Sequence, residues 1–82
     1  LVDRRAVDAA EIRRLLCEIP KIEDVGAVRS RSTPSGVLFA EVTIGVAGDT
    51  SVAEAHSLAD QVEQRLGERL GASEVTVHVE PA

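Results

Sequence analysis

The sequence predicts an α+β sandwich with the element order α-β-β-α-β: a three-stranded sheet with two helices on one of its faces. Three observations lead there. Apolar residues recur at helical spacing in two places, around residues 12–19 and 55–70. The stretch VLFAEVTIGV, residues 37–46, alternates like a strand with one buried face. The closing stretch VTVHVEPA, residues 75–82, has valine at every second position until Glu80.

Each element has its own local reasons. Ile12, Leu15, Leu16 and Ile19 fall at i, i+3, i+4 and i+7, one face of a first helix. Asp8 with Glu11 has the spacing of a capping box. Pro20 ends the helix, because its ring pushes the preceding residue out of the α region. KIEDVGAVRSRS is rich in valine and alternates loosely, with Arg29 and Arg31 on one side. TPSG, Thr33 to Gly36, has the composition of a turn. The strand after it sets Leu38, Ala40, Val42, Ile44 and Val46 on one face, and Val37, Phe39, Glu41, Thr43 and Gly45 on the other. Two strands joined by a Pro/Gly loop make a hairpin.

AGDT then breaks the pattern, and Ser51 with Glu54 forms a second capping box. Ala55, Leu58, Ala59, Val62, Leu66 and Leu70 give the second helix its stripe, and Gly71 stops it. The last strand runs from Glu74 to Glu80. With one apolar stripe per helix and one apolar face per strand, both helices cover the same side of the sheet. The result is a ferredoxin-like sandwich lacking the first strand of the βαββαβ form. Its other face stays open and carries Phe39, Glu41, Thr43, Thr76, His78 and Glu80.

Eighty-two residues make a single domain. A chain of this size buries only about 60–65% of its unfolded surface, so a partner chain or a metal is the expected reinforcement. The single cysteine, Cys17, excludes an internal disulfide and is expected as a small core residue of the first helix. There is no Met, which fits equally a processed chain or a domain cut from a longer protein, and the opening LVDRRAVDAAE has no apolar signal-peptide core. No run approaches the ~20 apolar residues of a membrane span. Net charge is −5 from 14 acidic and 9 basic residues, with the basic ones scattered and one Phe, which argues against nucleic-acid binding. No GxSxG, phosphate-binding or dinucleotide motif occurs, so independent catalysis is not expected.

The residues suited to chemistry are few. His78 and Glu80 lie two apart on a strand, about 7 Å between Cα atoms, both on the open face. His56 lies on the second helix at the flank of its apolar stripe, about 100° from the centre, with Asp60 one turn on. If the start of that helix lies near the end of the last strand, His56 can approach His78. The candidate metal ligands are therefore His56, His78 and Glu80, with Asp60 as a fourth, a donor set that suits Zn²⁺ and its first-row neighbours. The plain alternative is that all four are solvated surface groups. Arg29 and Arg31 can bridge to acidic residues of a partner chain or remain in water, where an exposed pair contributes ~0–1 kcal/mol.

Taken together, IPKIEDVGAVRSR, SVAEAHSLADQVEQRL and VTVHVEP, in this order and spacing, resemble the cytoplasmic C-terminal domain of cation diffusion facilitator transporters. The resemblance runs from about Glu11 to Pro81, and its most specific parts are Ala55-His56 and His78-Val79-Glu80-Pro81. It implies a homodimeric regulatory domain, residues 1–82, at the cytoplasmic face of a membrane exporter of divalent cations. The expected ion is Zn²⁺, with Fe²⁺, Mn²⁺, Co²⁺ or Cd²⁺ as further candidates, bound near the dimer interface to favour closure of the two lobes. The membrane is reached only through the parent's transmembrane part. By the same resemblance His56, His78 and Glu80 match ligand positions, whereas Gly26 and Thr43 stand where members with a full binuclear site carry histidine. A weaker single site per protomer, completed by water or the second chain, is then expected. Two other functions stand beside it: a purely structural dimerisation clamp, and a free-standing metallochaperone-like module. The last lacks the paired thiolates that soft-metal capture needs.

Overall fold

Asp8 opens the first helix, α1 (Ala9–Cys17), by accepting a hydrogen bond from the amide of Ala10 at 2.9 Å. These coordinates are those of a computed structural model in which residues 8–82 are described; the opening LVDRRAV lies outside them. The capping box is not closed, because the Glu11 carboxylate turns to Arg14 at 3.8 Å. The helix ends at Cys17, and Ile19, though beyond it, is still only 2% exposed. Cys17 itself is exposed, contrary to expectation. It follows Leu16 by one residue, which is 100° around the helix and points away from the sheet.

The chain then turns through Lys21, whose φ of 76° is left-handed. Its ammonium reaches Glu54 at 2.6 Å, tying this turn to the first turn of the second helix. The hydrogen bond to Glu54, and secondarily its charge, hold the Lys21 pKa above its usual value against a small opposing desolvation. A raised lysine contributes its stabilisation at neutral pH and loses it only as pH climbs through the raised pKa.

Strand β1 (Asp24–Ser32) pairs antiparallel with β2 (Leu38–Val46). The turn between them closes with the Gly36 amide on the Thr33 carbonyl at 2.9 Å, and Gly36 takes φ 93°, where a side chain would be strained. A bulge between Val25 and Val28 explains the loose alternation. One extra residue lets Val25 and Val28 both face inward although they are three apart. On β2 Leu38, Ala40, Val42, Ile44 and Val46 are all 7% exposed or less, and the alternation breaks only at Gly45, which is buried against Asp24 and Ala82.

Helix α2 (Val52–Leu70) starts at Ser51, whose hydroxyl accepts from the Glu54 amide at 3.0 Å. It carries the chain to β3 (Ala72–Pro81), which lies parallel to β2 and is longer at both ends than its alternation indicated. The sheet order is β1-β2-β3, so the most apolar strand is central. Ile12, Leu15 and Leu16 of α1 and Leu58, Val62 and Leu66 of α2 share one core with the inward residues of β2. Arg65 joins the helices, reaching Glu18 at 3.0 Å.

Gly71 ends α2 with φ 71°, its amide on the Gly67 carbonyl at 3.1 Å, and a side chain there would meet nothing within 4 Å. The backbone alone makes glycine necessary. Gly71→Ala is expected to lower stability by roughly 1 kcal/mol and the melting temperature by about 4–8 °C, read by circular dichroism.

Candidate functional site

Pairing of the three strands sets the open-face residues in rows. Arg31, Phe39 and Glu74 form the first, then Arg29, Glu41 and Thr76. Thr43 lies beside His78 in the third, and Asp24, Gly45 and Glu80 form the fourth. Every open-face residue named from the sequence stands where it was expected.

One pair in this grid is connected. His78 Nε2 lies 2.9 Å from Glu41 Oε2, with both side chains about half exposed. Glu41 is one row off His78 on the neighbouring strand, so the two lean toward each other diagonally, beside Thr43. They line a shallow pocket of about 210 Å³ with Ala27, Arg29 and Thr43. With a proton on Nε2, the imidazole donates to the carboxylate. A cation shared by the two groups would take that proton's place. An imidazole nitrogen and a carboxylate oxygen at this separation are the chemistry a divalent first-row ion uses, so the residues present fit such an ion as half of a coordination shell. Glu41 was not among the ligands expected. Its place on the open face was legible, but its nearness to His78 depends on the parallel register of β3, which the sequence does not display.

His56 projects from the exposed side of α2 and faces Asp60 at 3.6 Å. Glu80 is exposed at the end of β3, level with Gly45. The helix covers one face of the sheet and His78 stands on the other, so His56 and His78 hold different partners. Among the described residues, no group of three or more His, Cys, Asp or Glu side chains is placed to hold a metal within one protomer. Gly26 sits in the β1 bulge directly against Thr43, where an added Cβ would lie 3.5 Å from the threonine Cβ. The two positions at which binuclear relatives are expected to carry histidine therefore adjoin each other and the Glu41–His78 pair.

Arg31 lies over the Phe39 ring, 4.3 Å from its centre. This contact holds the guanidinium against the open face rather than in free solvent. No described helix is long and apolar enough to cross a membrane.

Residues 5–82 match the family model described as the cytoplasmic domain of cation efflux proteins. No curated protein sequence matches. Among solved structures, a C-terminal domain of MamM, a cation diffusion facilitator protein, superposes with TM-score 0.79 at 22% identity, over 89% of this chain and 92% of that one. A copper form of the MamM domain gives TM-score 0.82 at 20% identity, covering 89% of this chain and 71% of that chain. A manganese form of a substituted MamM domain gives 0.78 at 20% identity, covering 89% and 92%. At these identities the structures establish the ferredoxin-like αββαβ fold, and the family match supplies the rest. The chain belongs to the cation efflux, or cation diffusion facilitator, family, of which it is a cytoplasmic domain.

Proposed function

We propose that this domain pairs with a second copy and senses divalent cations, Zn²⁺ foremost, on behalf of the membrane transporter to which it is attached. The observation that carries the reading is the Glu41–His78 pair, two half-exposed metal-type donors 2.9 Å apart on an uncovered sheet face. One pair is half of a tetrahedral shell. Two copies with their open faces opposed supply four donors, with Glu80 nearby on the same strand, while His56 with Asp60 forms a separate exposed pair on the helix side. The copper and manganese forms of the MamM domain support metal binding by this fold. A cation held by both copies shifts an open–closed equilibrium by its differential affinity for the closed pair.

Isothermal titration with Zn²⁺ tests the site. His78→Ala and Glu41→Gln are each expected to weaken binding at least about tenfold, or 1.4 kcal/mol. Equal binding by the wild type, both variants and a His56→Ala/His78→Ala double variant overturns the assignment.

A second reading has an observation of its own. The resemblance puts histidine where Gly26 and Thr43 stand here, and among the described residues no three-ligand group forms within a protomer. The domain then acts as a constitutive clamp between transporter subunits. Small-angle scattering and melting temperature unchanged by excess Zn²⁺ decide for the clamp; compaction and a higher melting temperature decide for the sensor.

A further inference from the structure

The bulge in β1 decides which side of the sheet its arginines reach. In an unbroken strand the residues alternate, so Arg29 and Arg31 would share the inward face with Val25. The extra residue between Val25 and Val28 reverses that parity, and Val28 packs on the core while Arg29 stands exposed on the open face. Arg13 of α1 secures the bulge from the helix side, its guanidinium donating to the Val25 carbonyl at 2.6 Å.

Arg29 is thereby delivered to a particular place. It is the direct cross-strand partner of Glu41, and it lines the same pocket as Glu41, Thr43 and His78. Opposed side chains on one sheet face stand about 5 Å apart at Cβ. Yet the Glu41 carboxylate turns to His78 at 2.9 Å, and none of the ion pairs among the described residues engages Arg29. Among these residues its charge is left without a carboxylate, beside the pair that would take a cation.

A divalent ion on Glu41 and His78 would meet that charge at roughly 7 Å, the diagonal spacing between neighbouring strands. The two are of like sign, so the guanidinium repels the ion. At that distance on a wet surface the repulsion corresponds to about fivefold in affinity at low ionic strength, and to almost nothing at about 1 M salt, where the Debye length is about 3 Å. A guanidinium stays protonated at any physiological pH, so the repulsion is constant.

We propose that Arg29 sets the affinity of the Glu41–His78 site: its fixed charge weakens cation binding, so the site fills only at a higher ion concentration than its donors alone would require. The inference rests on the cation-sensing reading above and names a residue that tunes it. Arg29 is not a ligand; it acts through its field.

Competition titration of Zn²⁺ against a chelator, at about 0.01 M and about 1 M salt, tests this on wild type, Arg29→Gln and Arg29→Lys. Arg29 is exposed, so wild-type melting curves check that both variants fold, and the comparison is made at concentrations where all three sediment alike. Arg29→Gln is expected to bind about fivefold tighter than wild type at the lower salt and within about 1.5-fold of it at the higher. Arg29→Lys keeps the charge and is expected to stay within about twofold of wild type at both. An Arg29→Gln affinity equal to or weaker than wild type, a gain that salt does not erase, or an Arg29→Lys that gains as much as Arg29→Gln each overturns this role for Arg29, and leaves the sensor reading standing while Glu41→Gln and His78→Ala still weaken binding. Should those two variants bind like wild type, the cation site itself falls and the role of Arg29 with it.

Discussion

Ile44→Ala is expected to leave the isolated domain largely without a cooperative unfolding transition. Ile44 is 0% exposed on the central strand, in one core cluster with Ile12 and Leu16 from one helix and Val62 and Leu66 from the other. Removing three buried carbons at such a site costs about 2–5 kcal/mol, as lost transfer energy plus the cavity left behind. A domain of this length has only about 4–12 kcal/mol in total, and one without a disulfide or bound metal lies at the lower end. The deletion therefore removes a large part of the whole. Urea and thermal melts of the 82-residue chain check this, with Val52→Ala as the control. Val52 is 87% exposed, so its truncation should change stability by no more than about 0.5 kcal/mol. An Ile44→Ala melting temperature within a few degrees of wild type refutes the account of the core.

Thr43→His is expected to tighten Zn²⁺ binding at least about tenfold, or 1.4 kcal/mol. Thr43 pairs in register with His78, and the Glu41–His78 contact passes beside it. An imidazole there supplies a third donor at the place where the pair lacks one, and the uncovered face gives it room. Gly26→His adds a fourth from the bulge. The modest Cβ contact at Gly26, 3.5 Å to Thr43, makes that change sterically tolerable, and Gly26 is not among the glycines with left-handed φ. Competition titration against a chelator of known affinity measures the gain. A folded Thr43→His variant with an unchanged dissociation constant places the cation away from this pocket.

Much of this was legible in the residues because local chemistry and burial agreed. The alternation of Leu38 to Val46 fixed which face of β2 goes inward, and each inward residue is buried. Ser51 and Gly71 marked the ends of α2 through hydrogen bonds and a backbone angle that their side chains, or lack of one, provide. What was not legible depends on distant or non-periodic events. The bulge after Val25 shifts parity without a strong signal beyond Gly26. Cys17 looked apolar in composition, but a stripe ending at Leu16 turns it outward. Glu41 became a site residue only through the register of a strand 37 positions away. Glu54 had the right spacing for its cap, yet the left-handed turn at Lys21 brings an ammonium to its carboxylate instead.

The parallel partnership of β2 and β3 has one more consequence. These strands are joined in sequence only by way of a whole helix, and the last of them is held by its ladder to β2 and by Val75 and Val77 on the core. Glu41 and His78 straddle that seam. An ion gripped by both residues acts as a clasp across it, and at a hundred times its dissociation constant it adds about 2.7 kcal/mol of cohesion. On the proposed reading, occupancy of the Glu41–His78 pair would stiffen the join between β2 and β3.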